Sequence, residues 1–230
     1  MNKIYMEKSM KDKNITIDKI LETCESTLIS KPIYQTTKTF CCDTRILKKG
    51  DMFISLKTET NTGIKYIEEA LKKGAIGCIT EYDIPQEILE KNNDKIMIKV
   101  KDVIQSIQDL AKYKRTLFDI PIVAITGSVG KTTTKDMISN VLMQKYNVAK
   151  TQGNYNNHIG VPITILNWNE STEAAVVEMG MNHFGEISLL TNIVKPTIAV
   201  ITNIGTAHIG ILRLSRKYIK SKARNIRGIK

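Results

Sequence analysis

The rhythm of apolar and polar positions along this chain changes near residue 120. Before Leu117, short β-type runs alternate with amphipathic stretches. Thr39-Phe-Cys-Cys, Asp51-Met-Phe-Ile-Ser-Leu and Gly77-Cys-Ile-Thr read as strands. Tyr66-Ile-Glu-Glu-Ala-Leu-Lys-Lys and Val103–Lys114 place their apolar residues at helical spacing. From Pro121 the alternation becomes strict. A strand over 122–126 leads to a helix over 131–144, and Glu173–Met179 reads as a buried strand. A helix near Gly185–Ile193 then leads to a strand at Thr197–Thr202. Strands alternating with helices predict an α/β fold with a doubly wound parallel sheet, whose ligand lies at the carboxyl ends of the strands. The seam between the halves falls at Arg115–Ile120, because the Ile120-Pro121 step disfavours helix.

Composition sets modest bounds. A chain of 230 residues with 42% hydrophobic content fills one large or two ordinary domains. The first residues, Met1-Asn-Lys-Ile-Tyr, lack the apolar core of a secretory signal, and no apolar run has the length of a membrane span. A cytoplasmic protein without membrane insertion is expected. Cys24, Cys41, Cys42 and Cys78 show no CxxC spacing and are expected to be reduced packing residues.

The net charge of +11 raises the question of nucleic acid, but the excess is local. Eight Lys and Arg fall between Arg213 and Lys230 with no acid among them, and the remainder carries 26 basic against 23 acidic residues. The body of the chain is nearly balanced, so no nucleic-acid partner is expected.

The chemistry concentrates in Val123-Ala-Ile-Thr-Gly-Ser-Val-Gly-Lys-Thr-Thr-Thr134. An apolar strand stops at a glycine turn and reopens as a helix, which is the arrangement a nucleotide phosphate needs. Gly127, Ser128 and Gly130 let backbone N–H groups approach it, Lys131 adds a point charge, Thr132 offers a hydroxyl to Mg²⁺, and Thr133 completes the first turn. Ile125 stands where the general phosphate-loop pattern has its first glycine. Three polar clusters follow at strand ends. Gly153-Asn-Tyr-Asn-Asn-His158 offers the amides of Asn156 and Asn157 to oxyanions, although asparagine and glycine are also ordinary turn formers. Glu178 ends an apolar strand and is either a Mg²⁺ ligand beside the phosphate loop or a solvated strand end. His208 follows the next strand and is either a ligand or a structural histidine.

These clusters resemble one family, the Mur ligases. The resemblance rests on Thr126-Gly-Ser-Val-Gly-Lys-Thr-Thr-Thr-Lys135, Gly153-Asn-Tyr-Asn-Asn-His-Ile-Gly-Val-Pro162, Val177-Glu-Met-Gly-Met-Asn-His-Phe-Gly-Glu-Ile187 and Thr202-Asn-Ile-Gly-Thr-Ala-His208. Asp43-Thr-Arg45 and Gly50-Asp-Met-Phe-Ile-Ser-Leu-Lys57 resemble the family's UDP-sugar-binding domain. The second and third motifs resemble the member that joins D-alanyl-D-alanine to UDP-N-acetylmuramoyl-tripeptide. The resemblance implies a sugar-nucleotide domain over 1–118 and the first part of a central ATP-binding domain over 119–212. It implies an ATP- and Mg²⁺-dependent amide ligation through an acyl phosphate, in peptidoglycan precursor synthesis. Lys131 would cradle the β- and γ-phosphates, Thr132, Glu178 and His208 would hold metal, and Asn156 and Asn157 would line the approach to the acyl phosphate. Thr44 and Arg45 would contact the uridine diphosphate end. A non-catalytic nucleotide- or UDP-sugar-binding module is the alternative.

The family pattern gives way at about Leu212. Back-translating residues 213–230 with chosen codons and shifting one base restores a family-like continuation. The expectation is therefore a one-base frameshift near codon 213, with a basic out-of-frame tail and no ligase activity in the polypeptide as written.

Overall fold

In the computed structural model, residues 13–57 and 63–204 are described. Residues 1–12, 58–62 and 205–230 lie outside them, and with them His208 and the basic segment 213–230.

The first half contains β1 (Ile15–Thr16), α1 (Ile17–Thr23), β2 (Ser26–Leu28), β3 (Thr36–Thr37), β4 (Phe40–Cys41) and β5 (Met52–Ile54). It continues with α2 (Ile64–Lys72), β6 (Gly77–Thr80), α3 (Gln86–Lys91), β7 (Ile96–Val100) and α4 (Val103–Thr116). β1 and β3 form a small antiparallel ribbon. The main sheet has the order β2-β7-β6-β5-β4, parallel except for the β2–β7 pair. The second half holds β8 (Ile122–Thr126), α5 (Lys131–Leu142), β9 (Val148–Lys150), α6 (Gly160–Leu166), β10 (Ala174–Glu178), α7 (Glu186–Val194) and β11 (Ile198–Ile201). Its sheet is wholly parallel in the order β11-β8-β10-β9. The central pair β8 and β10 is buried and reads as Ile, Val and Ala up to the last residues, Thr126 and Glu178, as parallel strands covered on both faces do. The α/β architecture with parallel sheets is the one the alternating pattern requires.

One helix joins the halves. α4 starts on the side chain of Asp102, which accepts the Gln105 N–H at 2.9 Å. Val103, Ile107, Leu110 and Ala111 recur at helical spacing and are fully buried. They share one hydrophobic cluster with Ile96 and Ile98 of the first sheet, Val161 and Ile165 of α6, and Leu190 of α7. Replacing Leu110 with alanine is expected to cost about 3 kcal/mol, the lost burial plus the cavity left between the halves. Urea denaturation with an unchanged m-value checks this.

Two elements of the second half depart from the hydrophobic pattern. Gly160-Val-Pro-Ile-Thr-Ile-Leu166 is rich in β-branched residues, yet it is helical. Asn157 Oδ1 accepts the N–H groups of Ile159 at 3.1 Å and Gly160 at 2.8 Å, which starts the helix where propensity is weak. β9 is a three-residue edge strand without apolar alternation, held by its pairing to β10. The four cysteines are free thiols, three of them buried, and desolvation pushes Cys78 up to about 12.

Candidate active site

β8 and β10 are neighbours, so the turns after them open side by side. After Thr126 the chain turns through Gly127, at φ +151°, and Gly130 caps α5 at φ +82°. A Cβ at Gly127 would lie 1.9 Å from Thr202 Oγ1, so only glycine lets this turn lie against the end of β11. The loop is held from that side. Asn203 Oδ1 accepts the N–H groups of Ser128 and Val129, each at 3.0 Å, and Thr202 Oγ1 donates to Val129 O at 2.6 Å. Lys131 directs its ammonium back along the loop, donating to Gly127 O at 3.0 Å and Ser128 O at 3.5 Å.

Glu178 ends β10 directly beside this loop and is 2% exposed. Thr132 Oγ1 donates to Glu178 Oε2 at 2.9 Å, and Asn156 Nδ2 donates to Oε1 at 2.8 Å. The Glu178 N–H is taken by Thr151 Oγ1 at 2.9 Å. Asn156 reaches this position because Gly180 leaves room for it. A Cβ at Gly180 would meet Asn156 Oδ1 at 2.9 Å, and the Gly180 N–H donates to Asn156 O at 2.7 Å. A carboxylate from the end of β10, a hydroxyl from the first turn of α5 and an amide from the loop before α6 therefore converge beside the phosphate-type turn. Asn157 has a different task, since its amide oxygen caps α6.

The donor set fits Mg²⁺. A carboxylate oxygen and a threonine hydroxyl are hard ligands, and they stand 2.9 Å apart. Adjacent corners of an octahedron with bonds of about 2.1 Å are separated by about 3 Å. Among the described residues, no group of three His, Cys, Asp or Glu assembles a metal cage, so such an ion would share its coordination with water or phosphate oxygens.

The turn after Glu178 is fixed by another carboxylate. Glu186 Oε2 accepts the N–H groups of Asn182 at 2.6 Å and His183 at 3.0 Å. Partial burial raises the Glu186 carboxyl, but the hydrogen bonds from His183 and Asn182 outweigh it and leave the group below its ordinary value of 4.5. A carboxylate held low stabilises the fold above that value, and the contribution disappears as pH falls through the lowered one. Glu186→Gln is expected to cost about 1–2 kcal/mol at neutral pH, shrinking towards zero in acid. Denaturant midpoints across the acid range measure it.

A separate groove of about 420 Å³ opens in the first half. Asp43, Thr44 and Arg45 form one wall, Ser55 and Tyr66 line it, and Tyr155 closes it from the asparagine loop. Arg45 is clamped by Asp43 through Nη2 at 2.6 Å and Nε at 2.9 Å, which holds the Asp43 carboxyl down at about 2. The carbonyl of Thr44 accepts Lys73 Nζ at 2.8 Å. Ser55 Oγ is buried without a hydrogen-bond partner. Ser55, Tyr155, Thr151, Gly180 and Asn203 are absent from the residues singled out by pattern. Tyr155, Gly180, Asn203 and Ser55 do lie inside the quoted motifs, but that the Ser55 hydroxyl is orphaned leaves no mark in a sequence.

The Mur ligase middle domain model matches residues 125–230, from within β8 through the basic segment. The UDP-N-acetylmuramoyl-tripeptide–D-alanyl-D-alanine ligase of Synechocystis sp. is 46% identical over 156 residues, covering 68% of this chain and 34% of the relative. The enzyme of the same name from Bacillus subtilis is 39% identical over 183 residues, 79% of this chain and 39% of the relative. The chain belongs to the Mur ligase family. Among solved Mur ligases, MurF from Acinetobacter baumannii superposes with a TM-score of 0.81 at 30% identity, over 94% of this chain and 47% of that one. MurF from Thermotoga maritima in complex with ADP gives 0.71 at 33% identity, over 84% and 44%. The chain thus spans between about a third and two fifths of the length of these curated Mur ligase relatives. No helix among its described residues is long and apolar enough to cross a membrane.

Proposed function

We propose that this chain supplies the nucleotide-phosphate and sugar-nucleotide sites of an ATP-dependent ligase that joins D-alanyl-D-alanine to UDP-N-acetylmuramoyl-tripeptide. The observation that carries the reading is the contact of Thr132 Oγ1 with Glu178 Oε2 at 2.9 Å beside the phosphate-type turn. The similarity to ligases of that name, one solved with ADP, supports it.

In this reading Gly127, Ser128, Gly130, Thr132 and Thr133 surround the phosphates with backbone N–H groups, and Lys131 swings from the loop carbonyls onto the β- and γ-oxygens. Thr132 and Glu178 hold Mg²⁺, with His208 as a further ligand. The metal, when bound, neutralises charge on the transferring phosphoryl group. Asn156 holds Glu178 in place and faces the region where the acyl group is phosphorylated, and Asn157 fixes the adjoining helix. The terminal carboxylate of the peptide takes the γ-phosphoryl group and ADP leaves. The incoming amine then attacks the acyl carbon, and phosphate departs. Thr44 and Arg45 meet the uridine diphosphate end, with Ser55 and Tyr66 beside them. Tyr155 neighbours Asn156 and connects the groove to the phosphate site. The setting is cytoplasmic synthesis of a wall precursor.

The chain spans about a third to two fifths of its curated relatives' length, and in this reading the amine is bound by the remainder. The 230-residue polypeptide alone is therefore expected to bind UDP-N-acetylmuramoyl-tripeptide without ligation. Calorimetry for binding, with coupled ADP release in the presence of D-alanyl-D-alanine, tests both parts. Absence of sugar-nucleotide binding in a folded chain contradicts the reading, and so does amine-dependent ADP release by the chain alone. Sugar-nucleotide and ATP binding without turnover in any longer form of the protein would favour a non-catalytic binding module.

A further inference from the structure

Two consecutive backbone donors of the phosphate-type turn already have an acceptor. The N–H groups of Ser128 and Val129 converge on Asn203 Oδ1, each at 3.0 Å. Successive N–H groups aimed at one point form a nest, the shape in which a backbone holds an anionic oxygen. Gly130 follows in the left-handed region at φ +82°, which bends the chain into that shape. The acceptor in this nest is the neutral oxygen of a side-chain amide.

The amide is not what ties the turn to the end of β11. The Ser128 N–H also donates to the backbone carbonyl of Asn203 at 3.2 Å, and the Thr202 N–H donates to Thr126 O at 2.9 Å. Thr202 Oγ1 adds its bond to Val129 O at 2.6 Å. These contacts do not involve the Asn203 side chain, so the turn keeps its position without it. Asn203 is exposed, and its amide can rotate into water without unpacking any core. A charged oxygen is also the better partner, since hydrogen bonds to ionised acceptors are roughly twice as strong as neutral ones.

We propose that Asn203 is a placeholder, its amide oxygen standing where a nucleotide phosphate oxygen binds and competing with it for the Ser128 and Val129 N–H groups. The proposal rests on the assignment of this turn to ATP phosphates. Binding is then an exchange, in which the phosphate oxygen takes both N–H groups and the amide turns to water. The share of molecules with the amide seated lowers the apparent affinity, so Asn203 sets how tightly the turn takes nucleotide. Neutrality is essential to that role. A carboxylate at the same position would hold the N–H groups more strongly and repel the incoming phosphate.

Two substitutions with opposite expected effects test this in the 230-residue chain, by calorimetric titration with ATP in the presence of Mg²⁺. Asn203→Ala is expected to tighten ATP binding roughly three- to tenfold, because the competing oxygen is gone. Asn203→Asp is expected to weaken it roughly tenfold or more. A side chain that only shaped the turn would weaken binding in both variants. Thermal midpoints establish that each variant folds, and Asn203→Ser, too short to reach both N–H groups, replaces Asn203→Ala if that variant does not. The placeholder is overturned if the shortened side chain leaves ATP affinity equal or lower, or if Asn203→Asp binds as tightly as the parent. Those outcomes leave the phosphate assignment standing, provided that the parent binds ATP. A folded parent that binds no ATP overturns the phosphate assignment and the placeholder together.

Discussion

Lys131→Ala is expected to weaken ATP binding roughly a hundredfold while leaving the fold intact. A charge-assisted contact to phosphate contributes about 1.5–3 kcal/mol, and the loss of about 2.7 kcal/mol corresponds to that factor. The side chain is half-buried and its ammonium donates to the carbonyls of Gly127 and Ser128, outside the buried core, so its removal is expected to change stability little. Thermal midpoints of the variant and the parent should therefore agree, while calorimetric titrations with ATP differ. Equal affinities would mean that the turn after β8 serves no phosphate.

Gly127→Val is the more damaging change, because it acts on structure and ligand together. A Cβ there would sit 1.9 Å from Thr202 Oγ1, and that hydroxyl is already engaged with Val129 O at 2.6 Å. The clash cannot be relieved by a flexible chain end, since Thr202 ends the β11 region and pairs by its own N–H with Thr126 O at 2.9 Å. Overpacking of this kind costs about 1–3 kcal/mol, and the φ of +151° adds strain for a β-branched residue. A loss of about 3–4 kcal/mol is expected in urea denaturation, together with loss of ATP binding.

How much of this was legible in the chain depends on where the information resides. The strands at 122–126 and 174–178 announce themselves, because strands buried on both faces must be continuously apolar. α4 is equally plain from the spacing of Val103, Ile107, Leu110 and Ala111. α6 is not, because its β-branched run favours a strand locally and becomes helical through the Asn157 cap and burial against α4. At the site, the phosphate-type turn and the carboxylate after β10 follow from residue type and position. The link from Asn156 to Glu178 does not. It depends on Gly180 allowing two loops to approach, a distance no spacing rule contains. The Asp43–Arg45 clamp and the orphaned Ser55 hydroxyl are likewise products of the fold.

The measurement that bears most directly on the central claim is calorimetric titration of the 230-residue chain with ATP, with and without Mg²⁺, beside Glu178→Gln. If Thr132 and Glu178 form a metal-assisted phosphate site, ATP binds, Mg²⁺ tightens the binding, and Glu178→Gln removes most of the Mg²⁺ effect while retaining metal-free binding. No ATP binding by the folded chain, or a Mg²⁺ effect unchanged in Glu178→Gln, would contradict the assignment.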